Sequence, residues 1–435
     1  MKNVLPPPTP EQLTERFAEI HPPFAPQEAV VESNRCLFCY DAPCSAACPT
    51  HIDVPRFIKK ISTGNLRGSA TTILDSNILG LSCSRVCPVD VLCEGACVMH
   101  RYNKAPIEIG RLQRHAMDYF YDRGAKLAAG PERPGRVACI GGGPASLACA
   151  AALRRNGYAV TIFEARARAG GLNTYGVAEY KFRPVDSEKE IGLVRALGVE
   201  FRTNTEVGSS LTLEALESEF DVMFIGVGLG PTQALGIEGE NLSGVVDAVT
   251  FIANYKTGTP RVGRRVVVIG GGNTAIDAAC AAKRLGAEEA TIVYRRGETD
   301  MPAFRFEFEH AKNDGVRFVW RTLATAIRGQ DAVEGVDCAD RDEPEDLFHI
   351  ACDMIILSIG QSKLFRTLAG AKGIEMLNGR VKVDAATGQT TNPRYFAGGD
   401  CVNGGREVVD AVAEGTRAGR AISARFEAAG ATTNG

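Results

Sequence analysis

Eight cysteines fall within the first hundred residues, in two runs: Cys36, Cys39, Cys44 and Cys48, then Cys83, Cys87, Cys93 and Cys97. Thiolates are the soft ligands of iron–sulfur clusters and of zinc. Two clusters need eight ligands, so the number is suggestive. Cys36-x-x-Cys39, then Cys44 and Cys48-Pro49, is close to the bacterial ferredoxin arrangement, in which the Cys before the Pro serves the other cluster. A tight loop wraps three thiolates around one cube, and the fourth, a helical turn on, points away. Cys44 and Cys48, and Cys93 and Cys97, are both i, i+4 pairs that share a face if helical. A structural zinc site is the other reading. It would want one compact four-ligand set with tighter paired spacing, and two long-looped runs suit cubes better.

Two glycine loops could hold dinucleotides. Gly141-x-Gly143-x-x-Ser146 follows the apolar stretch VACI and opens a helical pattern. Glycines there permit a tight turn and close approach of backbone N–H groups to a pyrophosphate. Glu164 lies twenty-one positions after Gly143, at the end of the next strand pattern. An acid there accepts hydrogen bonds from a ribose. Three further stretches match the two-dinucleotide-binding flavoproteins: Gly170-Gly171-Leu172, DVMFIGVG (221–228) and YFAGGD (395–400). The last ends in Gly399-Asp400, and the match implies that Asp400 serves the ribityl–phosphate region of FAD. Taken alone, Asp400 reads equally well as a helix N-cap.

The second loop is Gly270-x-Gly272-Asn273-Thr274-Ala275, after the strand pattern VVVI. Ala275 at the third position still allows close helix–strand packing. The next strand pattern ends in Arg295 and Arg296 in place of an acid. Two arginines there favour the 2′-phosphate of NADPH, or are solvated surface charges.

The elements that must position these residues follow from periodicity. Residues 1 to about 30 read as a Pro-rich surface arm with a short helix. The cysteine segment has helical apolar spacing at Phe57, Ile58 and Ile61, and again at Ile109, Leu112, Ala116, Tyr119 and Phe120. GPERPGR (130–136) is a linker. Two βαβ units then surround the glycine loops, an internal duplication of layout. ACDMIILSIGQ (351–361) reads as a buried strand, and a helix is expected from Val408 to Ala429. The other six cysteines (Cys139, Cys149, Cys280, Cys338, Cys352, Cys401) read as ordinary buried residues.

With 435 residues and 45% hydrophobic content, the chain can build two to four domains with real cores. A net charge of -3 and a single Trp give no sign of nucleic-acid or membrane partners. The N-terminus lacks a signal-peptide pattern and no stretch has the length of a membrane span, so a cytoplasmic location with reduced thiols is expected.

RCLFCYDAPCSAACPTHID, LGLSCSRVCPVDVLCEGAC and PIEIGRLQ resemble the N-terminal domain of dihydropyrimidine dehydrogenases, and glutamate synthase small subunits carry a related domain. The resemblance implies two 4Fe-4S clusters, one held by Cys36, Cys39, Cys44 and Gln113, the other by Cys48, Cys87, Cys93 and Cys97. Cys83 would then be a non-ligand. Read from sequence alone, Gln113 is a surface glutamine. The GPAS form of the first loop is that of the dihydropyrimidine dehydrogenases, where glutamate synthase small subunits usually read GPAG. KFRPVD (181–186) is similar to that family's flavin-contacting segment, with Arg183 the candidate, or else a surface arginine.

The implied architecture is a multidomain chain: an α-helical iron–sulfur domain followed by α/β two-dinucleotide-binding, Rossmann-like flavoprotein domains. The helical domain spans 1–130, the FAD-binding domain 131–235 and 359–435, and the NAD(P)H-binding domain 236–358. The implied function is to take hydride from NAD(P)H onto FAD and pass electrons through the clusters. No acid–base pair or nucleophile is required, and none has a convincing signature. Motif and family differ on the nucleotide, since the bacterial two-subunit relatives are regarded as NADH users. No barrel-length segment follows the FAD helix, so the chain resembles the electron-input subunit of a split enzyme. Its expected partner in a hetero-oligomer is an FMN- and iron–sulfur-containing dihydropyrimidine dehydrogenase catalytic subunit that reduces uracil or thymine. A glutamate synthase small subunit, or an input module for another reductase, is the alternative.

Overall fold

The computed structural model describes residues 4–361 and 373–433. The chain forms two compact units, one of Met1–Ile20, Thr174–Pro184 and Gly230–Ser362, the other of His21–Asn173, Val185–Leu229 and Lys363–Gly435. No helix among the described residues is long and apolar enough to cross a membrane.

The cysteines and the first glycine loop share a unit. Its helical part includes Val54–Ser62, Leu66–Ser76, Gly80–Val86 and Ile109–Asp122. The helix Val54–Ser62 starts where the Asp53 carboxylate accepts the Arg56 N–H at 3.1 Å. It buries Val54, Phe57, Ile58 and Ile61 along one face, each contributing about 1.5–3 kcal/mol by leaving water. Ile109–Asp122 buries Leu112, Ala116, Met117 and Phe120 in the same way.

The α/β part of this unit is a five-stranded parallel sheet in the order Tyr395–Ala397, Val222–Ile225, Arg136–Ile140, Ala159–Phe163, Glu200–Arg202. The strand order reverses at Arg136–Ile140, and the crevice at such a reversal is where ligands enter open α/β sheets. The first glycine loop leaves that strand. The long helix Val408–Thr433 packs on the helix Pro144–Arg155. It can do so because Gly415 and Gly419 are small. A methyl group at Gly415 would overlap the Ala145 carbonyl oxygen, and one at Gly419 would sit 2.9 Å from the Cys149 oxygen.

The other unit repeats the plan. Its parallel sheet runs Val245–Asp247, Met354–Ser358, Arg265–Gly270, Glu289–Val293, Arg317–Val319. Beside it lies an antiparallel sheet of Leu347–Ala351, Gly335–Asp340 and Thr322–Arg328.

Two segments fall outside the domains expected for them. Residues 4–20, expected with the helical domain, belong to the unit of the second glycine loop. The reason is apolar and hydrogen-bonded anchorage: Leu5 N–H donates to the Val262 oxygen at 3.0 Å, and buried Phe17 lies 5.3 Å from the Tyr255 ring. Residues 174–184, expected with FAD, also join this unit. Lys181 reaches Asp277 at 2.6 Å and Glu307 at 2.5 Å in the interior, and Tyr180 donates to Asp277 at 2.9 Å. Lys256 donates to the Val177 and Phe182 oxygens at 2.8 and 3.0 Å. Removing one partner of a buried ion set costs roughly 3–5 kcal/mol, so this segment is held firmly.

Candidate cofactor sites

At the first loop, Gly141 has φ +89°, and a methyl group there would sit 2.7 Å from the Gly226 oxygen. The Gly142 N–H donates to Glu164 Oε2 at 2.7 Å, while Oε1 accepts the Arg166 N–H at 2.8 Å. Glu164 thus stands beside the loop, as a ribose-binding acid must. Gly143 begins the helix Pro144–Arg155 and faces open space: nothing lies closer than 3.9 Å to a methyl group built on it. That opening, at the positive end of a helix, suits a pyrophosphate. Gly171 packs against Gly143, and Leu172 beside it is 37% exposed. Ser146 is fully buried, its Oγ without a hydrogen bond among the described residues, and a methyl group at Gly226 would overlap it. The serine therefore fills the place that sets helix–strand spacing.

Asp400 opens a short helix, Asp400–Asn403, and accepts the Arg406 N–H at 3.3 Å. Burial raises its carboxyl above the usual range. Gly399 lies beside Ala145, so the aspartate and the first loop share one crevice. Glu414, missed in the sequence, accepts the Gly399 N–H at 2.6 Å and the Asn403 amide at 3.2 Å. No motif marks it. Arg183 belongs to the other unit, where its Nη2 is 3.7 Å from Glu19 Oε1.

At the second loop, Gly270 has φ +146°, and a methyl group there would overlap the Ser358 oxygen. Gly271 lies on the Tyr294 ring, and Gly272 opens onto space with nothing within 4 Å of a methyl group. Ala275 is buried, as close packing requires, and Thr274 is exposed in the first turn. Asn273 Oδ1 is used within the protein, accepting the Phe304 N–H at 2.9 Å. Arg295 and Arg296 are exposed beyond Glu289–Val293, and neither guanidinium has a partner among the described residues. Both are available to a phosphate.

The cysteines sort into two groups. Burial pushes the Cys44 thiol up to about 12, with the nearby sulfurs of Cys36 and Cys97 adding to the rise. Cys36 is raised by burial too, with Cys39 and Cys97 contributing. The second group is Cys87 with Cys83, Cys93 and Cys48 around it. Cys48 lies near Cys87 and Cys93. Cys97 lies near Cys36 and Cys44, while Cys93 is near both Cys48 and Cys44. The physical cause is a tether. Arg35 donates to the Ala105 oxygen at 2.6 Å and the Pro106 oxygen at 3.4 Å, and Glu32 accepts the Glu108 N–H at 2.9 Å. These bonds lay the chain after Cys97 alongside the start of the first run.

Gln113 is 7% exposed, not a surface residue. Its Nε2 donates to the Gly80 oxygen at 2.8 Å, and its Oε1 has no partner among the described residues. An amide so anchored offers an oxygen ligand. Cys83, in the same helix as Gly80, stands beside Cys87 and helps raise its thiol. The six other cysteines are all buried, as read from sequence. Thiolate groups on short loops, plus an amide oxygen, fit iron–sulfur clusters.

Cys280, His310 and Asp314 also approach within 4.8 Å of one another. Arg284 already fills that cluster, its Nε 2.7 Å from Asp314 and its Nη2 3.0 Å from His310 Nε2. A cation is already in place, and the group is structural.

Comparisons with known proteins agree with this geometry. The pyridine nucleotide-disulphide oxidoreductase family matches residues 135–415, and the family described as dihydropyrimidine dehydrogenase domain II, 4Fe-4S cluster, matches residues 13–125. The glutamate synthase [NADPH] small chain of Halomonas elongata is 35% identical over 94% of this chain and 93% of its own. The NAD-dependent dihydropyrimidine dehydrogenase subunit PreT of Escherichia coli K12 is 35% identical over 94% of this chain and 97% of its own. Thioredoxin reductase of T. acidophilum shares the fold, with TM-score 0.54 at 22% identity over 66% of this chain and 97% of that one. The chain belongs to the pyridine nucleotide-disulphide oxidoreductase family, as an NAD(P)H-dependent flavin and iron–sulfur oxidoreductase subunit similar to PreT and to glutamate synthase small chains.

Proposed function

We propose that this chain is the electron-input subunit of a two-subunit dihydropyrimidine dehydrogenase, using NAD(P)H, FAD and two 4Fe-4S clusters to supply an FMN- and iron–sulfur-containing partner that reduces uracil or thymine. When bound, FAD accepts two electrons together and releases them singly to the clusters. The chain's own residues place and tune these groups. Gly141, Gly143, Gly171, Leu172 and Ser146 shape the flavin crevice, Glu164 takes the ribose, and Gly399 and Asp400 close the far side. Gly270, Gly272, Asn273, Thr274 and Ala275 form the nicotinamide nucleotide's loop, with Arg295 and Arg296 at its ribose end.

For the clusters, the proposed sets are Cys36, Cys39, Cys44 and Cys97, and Cys48, Cys87, Cys93 and Gln113. The observation that carries the pyrimidine reading is Gln113, whose amide nitrogen is held by Gly80 while its oxygen is left over. Replacing Gln113 by Ala should cost iron and acid-labile sulfide. Cys83→Ala should retain both, and the reverse result would give the place to Cys83.

The function itself is tested by co-purification. An FMN-containing partner and uracil-dependent NAD(P)H oxidation support it. Glutamine-dependent glutamate formation with a large amidotransferase chain would sink it in favour of glutamate synthase, the reading that the Halomonas elongata relative favours.

A further inference from the structure

Glu190 is 1% exposed, in the middle of the helix Pro184–Ala196 that lies between two strands of the first sheet in sequence. A carboxylate so deep is rare and must be used. Its Oε1 accepts the N–H groups of Leu81 at 2.9 Å and Ser82 at 3.0 Å. These are first-turn donors of the helix Gly80–Val86, whose N-cap, Leu79, has no side-chain bond to offer. The helix has only seven residues, too few to hold itself together in isolation. Its start is therefore capped from a different layer, about a hundred residues away in sequence.

The capped helix carries residues of the second cysteine group. Cys83 lies within it and Cys87 is its C-cap. Gly80, at its first position, is the residue whose oxygen holds Gln113. The helix is thus gripped by Glu190 on its N–H groups and by Gln113 on a carbonyl. Arg85 of the same helix pairs with Asp118 at 2.6 Å. Arg85 Nε and the Tyr121 hydroxyl, both buried beside Glu190, have no hydrogen-bond partner among the described residues.

We infer that Glu190 is a positioning residue that locks the flavin-side α/β layer to the helix Gly80–Val86, and so fixes Cys87 and Gln113 as ligands. This rests on the reading of Cys48, Cys87, Cys93 and Gln113 as a cluster site. Iron and sulfide per chain, FAD per chain and the midpoint potentials by EPR are measured for Glu190→Gln, Glu190→Ala and Cys87→Ala. At pH 8.5 Glu190 is ionised, since burial raises it only to about 7.

Glu190→Gln keeps an acceptor oxygen and should keep full iron and FAD. One cluster's potential should move to a more positive value, because a nearby negative charge is gone. Glu190→Ala should keep FAD and lose about half the iron, one cluster of two. Full iron with unchanged potentials in both glutamate variants overturns the inference. Should Glu190→Ala not fold, the potential of Glu190→Gln decides alone. Full iron in Cys87→Ala would instead refute the cluster reading on which the inference stands.

Discussion

Arg295 and Arg296 are the residues on which nucleotide choice turns. Both are exposed, both follow the strand whose end normally carries an acid for NAD, and neither is neutralised among the described residues. A charge-assisted bond to a phosphate contributes about 1.5–3 kcal/mol, roughly tenfold or more in affinity. Replacing both by Ala should raise KM for NADPH by about tenfold or more and leave KM for NADH within about twofold. Steady-state kinetics with both nucleotides will check it, and equal effects on the two would return the arginines to solvated surface charges. At this scale the tight turns of the glycine loops, the place of Glu164 beside the first of them and the exposure of the two arginines were legible, because each follows from backbone geometry imposed by one short stretch. Gln113 was legible only by resemblance, and Glu414 and Glu190 not at all. A carboxylate that serves a partner far along the chain leaves no local pattern.

Among the elements, the pair of helices Pro144–Arg155 and Val408–Thr433 carries the flavin crevice. Their approach depends on Gly415, since any side chain there meets the Ala145 carbonyl. Gly415→Ala should destabilise by about 1–3 kcal/mol through overpacking and lower bound FAD. Gly192 is the control. It lies in the helix Pro184–Ala196 with nothing within 4 Å of an added methyl group. Gly192→Ala should gain about 0.5–1 kcal/mol, because glycine is entropically costly in a helix. Thermal melts and flavin absorbance test the pair, and equal behaviour would refute the close-packing argument. The helices and strands were readable from their periodicity, and the Val408 helix runs slightly longer than expected, to Thr433. The grouping of the cysteines was not readable. The resemblance implied that Cys97 belongs with Cys87 and Cys93, whereas the Arg35 and Glu32 tethers bring the chain after it alongside the first run.

For the molecule as a whole, the chain passes between its two units several times, so sequence neighbours were poor guides to membership. Residues 174–184 illustrate this, held by Lys256, Asp277 and Glu307 far along the chain. Burial lowers Lys256 from 10.5 to about 7. The unfolded chain therefore binds one more proton than the folded one between those values, and stability from this group rises with pH across that window and is lost as pH falls to about 7. The melting temperature of wild type relative to Lys256→Met should accordingly grow between pH 7 and pH 9.5. Trp320, the single tryptophan, lies in the same unit and reports its unfolding by fluorescence. A difference that does not change with pH would refute the buried, neutral lysine.

The exchange of cysteines between the runs also orders events in time. Cys48 stands with partners from the later run, and Cys97, the last of the eight to be made, stands with partners from the earlier one. On the ribosome, the first run would emerge well before its fourth sulfur exists, and Cys48 would wait for Cys87 and Cys93. The first group is whole only when the chain has passed Cys97, and the second only when it has passed Gln113. Metal delivery to a half-made chain would find only open sets, so loading would follow synthesis of the entire helical region as one late event.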